Sequence, residues 1–258
     1  MLSIASAFKT DVARVAAFVE LSESTFDLAR VSISGLAGTH PIYASVINVH
    51  TKASAIPAGL SLACEGAYLS ICAQYEQCVR DLVEATAIDA VAKKGPFALL
   101  PQKMRDAHLQ GCGMILQKLN RDKYKHLSAS AIASALYGCV VASASPATLV
   151  VEAFSSNERN FKPDTVTEHF GKLGITNLWQ LLGQQACLQS HFGTASPADA
   201  TKFAKERLER IIDTRNGLSH GLRGVGSPSP SEVGECASFV VALSEALANV
   251  LDSYVASL

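Results

Sequence analysis

With 258 residues and 22 Lys and Arg against 23 Asp and Glu, the chain has a net charge of −1. That length permits one large domain or two small ones around a real core. The charge excludes a surface coated in positive potential for non-specific nucleic-acid binding, so any positive field is local or assembled between subunits. Seven scattered cysteines, odd in number and without a C-x-x-C pair, read as small buried hydrophobes in a reducing compartment. Lys9 and Asp11 interrupt the N-terminus before a signal-peptide core could form, and no run approaches a membrane span, the longest weakly polar stretch being 129–144. The expectation is a soluble, cytoplasmic protein with no membrane partner.

Residues 5–30 read as one or two helices with Val12, Val15, Ala16 and Val19 on one face. Residues 32–57 mix Gly, Pro and β-branched residues and suit a long irregular connection or a short hairpin. Residues 1–60 are thus an N-terminal helix plus irregular connection, packed on a helical domain spanning 61–258. From 61 to 94, Cys64, Tyr68, Ile71, Tyr75, Cys78, Leu82 and Ala85 alternate steps of four and three, the seam of a bundle helix. Glu76 and Arg80 lie one turn apart there, either as a solvent-facing ion pair or as a carboxylate that orients residues 215–220.

A helix over 102–119 is softly broken at Gly111-Cys112-Gly113. The cluster Arg121–His126 holds four basic residues around Tyr124 and reads equally as a phosphate contact or a solvated helix end. Residues 129–144 form an internal helix, and 154–164 a surface loop with Asn157, Asn160 and Pro163 as turn formers. Short helices follow at 164–172 and 177–191, the second placing Trp179, Leu182 and Ala186 in the core. Residues 224–230 make a flexible turn. The last helix, from Pro230 to Tyr254, carries Val233, Cys236, Val240, Leu243, Leu247 and Val250, widened by Ala237, Val241, Ala248 and Leu251. So wide a stripe buries two surfaces, one against the bundle and a second available to another subunit. The fold expected is all-α, a multi-helix bundle cored by the 61–94, 196–219 and 230–254 helices.

The stretch 196–223 carries the chemistry. Ser196 is placed to cap, Pro197 takes the first helical position and Asp199 completes a capping-box pattern. Ala204, Leu208, Ile211 and Ile212 mark one buried face, and a further turn sets Arg215 on it. A guanidinium there needs an anion, a carboxylate or a partner surface. Asn216 and His220 follow four residues apart, and Gly217 or Gly221 ends the helix. The same Arg, His and Gly also suit plain C-capping.

Arg215-Asn216-Gly217-Leu218-Ser219-His220 resembles the R-x4-6-H motif of the HEPN superfamily of helical ribonucleases. The helix over 67–85 and the segment NERNFKPDTVTEHFGKLGI (157–175) are similar to its RiboL-PSP branch, so the resemblance covers roughly residues 60–256. It implies Arg215, Asn216 and His220 as catalytic residues, with Glu76, Ser219 and Arg223 as supporting ones. It also implies RNA as substrate, a homodimer that pairs two motifs, and a toxin or antiviral defence effector with an antitoxin or defence-system partner protein. The alternative is a non-catalytic helical module that binds RNA, nucleotide or a protein. No cofactor and no metal is implied: G-x-G-x-x-G, P-loop, H-E-x-x-H and metal-spaced Cys/His clusters are all missing from the sequence. His40, His50, His108, His126, His169 and His191 read as structural or exposed.

Overall fold

The computed structural model describes residues 1–30, 42–56, 58–141, 144–156, 160–221 and 226–258. The chain is all-α, with no strand among the described residues. The helices are α1 (Leu2–Arg30), α2 (Tyr43–Ser54), α3 (Gly59–Lys94), α4 (Gln102–Leu116), α5 (Ala129–Val140) and α6 (Glu152–Ser155). They continue with α7 (Pro163–Lys172), α8 (Leu178–Gly183), α9 (Ala186–Phe192), α10 (Pro197–Ser219) and α11 (Pro230–Ser257). Short 3-10 turns occupy Phe97–Leu99 and Asp122–Tyr124.

Several boundaries differ from the sequence reading, each for a local reason. The irregular connection or hairpin expected over 32–57 contains α2, a helix despite its β-branched residues; residues 31–41 and 57 lie outside the described residues. Helix α4 passes unbroken through Gly111 and Gly113, because the first of these glycines is a packing requirement. The loop expected over 154–164 buries Phe154, Ser155, Ser156 and Phe161, with 157–159 outside the described residues. Its Phe residues outweigh its turn formers. The expected 177–191 helix is two, α8 and α9.

The chain divides into two compact units. The first comprises residues 1–6, 76–209 and 242–258. Within it α4 packs on α5, α6 and α7, and Cys112, Ile115, Tyr124, Ile132, Val150 and Ala153 form a buried cluster. A Cβ at Gly111 would stand 2.3 Å from the Ala153 carbonyl oxygen and 2.7 Å from its Cα, so α4 and α6 meet backbone to backbone. Neither partner is a flexible side chain that can give way. Gly111→Ala is therefore expected to destabilise the protein by about 1–3 kcal/mol, read as a lower midpoint in urea. An unchanged midpoint would show that α4 is not held there.

Two histidines are built into this unit. His108 is fully buried, with Nε2 accepting the Val150 N–H at 3.0 Å, and Phe97 and Phe154 beside its ring. His169 donates from Nδ1 to the Phe154 carbonyl at 2.9 Å and stacks on Phe161, with ring centroids 5.0 Å apart. Burial lowers both to about 4. The Arg121–His126 cluster is not an aromatic-interleaved surface: Tyr124 is buried, Lys125 pairs with Asp122, and His126 with Glu152 at 2.9 Å.

The second unit comprises residues 7–75 and 210–241. Phe8, Val12 and Val19 of α1, Cys64, Tyr68 and Ile71 of α3, Ile211 and Ile212 of α10, and Val233, Cys236 and Val240 of α11 are buried in it. Helix α11 starts with a complete reciprocal cap: the Glu232 N–H donates to Ser229 Oγ, while Glu232 Oε2 accepts from the Ser229 N–H and hydroxyl. Those two donors hold the Glu232 carboxyl below its usual range.

All seven cysteines are free and six are buried, as their apolar positions imply. Burial pushes Cys78 and Cys112 up to about 12, far from a reactive thiolate. Helix α11 corrects two expectations. It is long and apolar enough to cross a membrane, but half of that stretch is buried inside the protein, as in a core helix. Of Ala237, Val241, Ala248 and Leu251, read as a second surface available to another subunit, all but the half-buried Val241 are covered within the chain itself.

Candidate functional site

Helix α10 carries the motif residues at its C-terminal end. At its start Ser196 Oγ accepts the Asp199 N–H at 3.2 Å, while the Ser196 N–H goes to Thr194 Oγ1 rather than into a reciprocal box. Ala200, Ala204, Leu208, Ile211 and Ile212 then form an unbroken buried face. Regular i,i+4 spacing carries that face to Arg215, which is half-buried. Its Nη1 donates to Asn216 Oδ1 at 3.2 Å. The amide oxygen thus faces the guanidinium.

Ser219 is the last helical residue and His220 the first beyond it, both exposed. The His220 N–H still donates to the Asn216 carbonyl at 3.0 Å, which keeps the imidazole's backbone in register with the helix. Gly221 ends the helix with φ +57°, and its N–H donates to the Leu218 carbonyl at 3.3 Å. This left-handed cap is the conformation that glycine adopts without a Cβ penalty. Gly217, the other candidate for the helix end, is buried within it. Arg223 lies outside the described residues.

Glu76 belongs to the first unit, where it is buried, and Oε2 lies 3.6 Å from Arg80 Nη2. The Arg80 guanidinium in turn stands 4.7 Å above the Phe161 ring. The ion pair read as solvent-facing is therefore an interior one.

Sequence reasoning passed over Tyr68. It reads as one more seam position, yet a buried phenol needs a partner for its hydroxyl, and that need was the available signal. The Tyr68 hydroxyl lies beside Thr214 of α10 and Cys236 of α11, and burial raises its pKa. The phenol thus meets α10 at the residue before Arg215, where the motif begins.

Chemically, the turn offers a guanidinium, an amide that steadies it, and an exposed imidazole with a donor and an acceptor nitrogen. The chain matches the model of the RiboL-PSP-HEPN family over residues 45–253. No curated protein and no solved structure matches it.

Proposed function

The chain belongs to the RiboL-PSP-HEPN family, which points to a ribonuclease-type or RNA-related role, and from that premise we propose that it is a metal-independent endoribonuclease. The observation that carries this reading is that half-buried Arg215, steadied by Asn216, and exposed His220 stand together at one helix end.

RNA supplies its own nucleophile. The 2′-oxygen bonds to the neighbouring phosphorus, a base removes its proton, and the 5′-oxygen leaves as an acid protonates it. Negative charge grows on the phosphorane meanwhile, and a guanidinium can hold two of its oxygens at once. His220 fills one proton-transfer role and Arg215 the charge-stabilising one. The acid and base together require two groups, so the active species is a homodimer in which a second His220 completes the site. Two near-neutral chains would thereby concentrate positive potential at one phosphate. RNA of a host or an invader is the target, which makes the protein a toxin or antiviral effector that an antitoxin or defence partner would restrain.

Cleavage of single-stranded RNA in excess EDTA tests the reading. Activity is expected to survive chelation and to rise more than linearly with dilute enzyme, as dimer forms. Loss of cleavage in EDTA with recovery on adding a divalent metal would overturn the metal-independent mechanism. Full activity from a species that sediments as a monomer would overturn the composite site.

A further inference from the structure

The first unit contains a cavity of about 440 Å³ between the turn that follows α7, the junction of α8 with α9, and the last turns of α11. Its size lies in the range of small-molecule sites. The turn is closed by its own backbone: the Ile175 N–H donates to the Phe170 carbonyl at 3.1 Å, and Gly174 takes φ +100°, a conformation natural to glycine. The Tyr254 hydroxyl donates to the Leu173 carbonyl and ties α11 to that turn. The walls are thus set before a ligand arrives, which lowers the cost of binding one.

How the lining residues use their hydrogen-bonding groups defines what fits. None of the described residues around the cavity carries a charge. Ile175 and Val250, both buried, and half-buried Leu181 give it an apolar floor. Ser253 and Ser257 donate their hydroxyl protons to the Asn249 and Tyr254 carbonyls at 2.9 and 2.7 Å. Gln185 Nε2 donates to the Leu181 carbonyl at 3.2 Å. With those protons committed, the three side chains and the Tyr254 hydroxyl present oxygens as acceptors. The donors come from Thr176, Asn177 and Gln184, which are exposed and whose side chains hold no hydrogen bond among the described residues. Asn177 stands at the N-cap of α8, yet its side chain does no capping.

A ligand for this arrangement is uncharged, because an ion would lose hydration with no counter-charge to replace it. It both donates and accepts several hydrogen bonds, and it turns a C–H face to the Tyr254 ring and the apolar floor. A sugar ring has all of these properties. We propose that this cavity binds a neutral monosaccharide, with Asn177, Gln184 and Ser253 on its hydroxyls and Tyr254 against its C–H face. The inference goes beyond the ribonuclease reading and does not depend on it.

Chemical-shift titration of the isotope-labelled full chain tests it. The titrants are glucose, galactose, mannose and xylose, with glycerol and cyclohexanol as partial ligands and glucuronate and glucosamine as charged ones. At least one neutral sugar is expected to bind and to shift the side-chain amide signals of Asn177, Gln184 and Gln185. The partial and charged ligands should bind roughly tenfold or more weakly. Asn177→Ala and Gln184→Ala should each weaken the sugar about three- to tenfold, and the first removes no helix cap. Ser253→Trp should abolish binding by filling the space from an exposed position on α11, and if it unfolds the protein the two alanine variants decide. Shifts confined to other residues, or affinity that the folded variants leave unchanged, would overturn the proposal. So would tighter binding of glucuronate or glucosamine than of any neutral sugar, or no binding of any neutral sugar.

Discussion

His220→Ala is expected to lower RNA cleavage by about 10²–10⁴-fold while leaving the fold intact. The side chain is exposed and lies just beyond α10, so its loss opens no cavity. The backbone bond from residue 220 to the Asn216 carbonyl needs no particular side chain. The thermal midpoint should therefore hold while the rate collapses. Arg215→Ala should cost a similar factor, with a small loss of stability as well, because the arginine is half-buried and bonded to Asn216. Arg215→Lys is the finer probe. It keeps the charge and removes the two-pronged geometry, so a large residual defect points to bidentate phosphate contact. Wild-type rates in folded His220→Ala and Arg215→Ala proteins would sink the assignment.

Acid should unfold the first unit well before its carboxylates are all protonated. His108 and His169 are held at about 4 by burial, against 6.5 for an ordinary imidazole. As pH falls below 6.5 the unfolded chain takes up protons that the buried rings refuse, so stability present above 6.5 is lost down to about 4. Each ring contributes on the order of a few kcal/mol to that loss. Lys172, Arg80 and Lys123 reinforce the resistance of His169 to charging, whereas its bond to the Phe154 carbonyl opposes it. Glu84, whose carboxyl burial raises, works in the other direction and offsets part of the slope. Urea midpoints taken from neutral pH down to about pH 4.5 should fall steeply in the wild type and more gently with His108→Gln and His169→Gln combined. Parallel slopes would place the acid sensitivity elsewhere.

How much of this was legible beforehand varies with the kind of signal. The α3 seam, the Ser196 and Ser229 caps and the core face of α10 announce themselves, because periodicity and capping are local properties of the chain. Trp179 and the buried cysteines follow from the same logic. Phe154 and Phe161 were hidden among turn-forming neighbours, since their burial is decided by what packs on them and not by their own segment. Gly111 looked like a helix breaker because its partner, Ala153, is more than 40 residues away in the sequence. In the motif, the order Arg-Asn-x-x-x-His displayed the chemistry, but the degree of burial of Arg215 and the placing of His220 beyond the helix end depend on tertiary packing. Most of the apolar face of α11 that suggested a second subunit is covered within the chain, and a dimer is now supported by the single motif histidine per chain, where the proposed reaction needs two proton-transfer groups, and by the half-buried arginine at the helix end.

The burial of Cys236 beside Tyr68 gives the molecule a built-in clock. A thiol-reactive dye cannot reach Cys236 while the phenol, Thr214 and α11 stay together, so its labelling rate counts the excursions in which they part. Cys187, the only half-buried thiol of the seven, reacts on its own schedule and serves as the internal standard. The same chain thus reports, through its own cysteines and with no residue introduced, how often Cys236 becomes exposed.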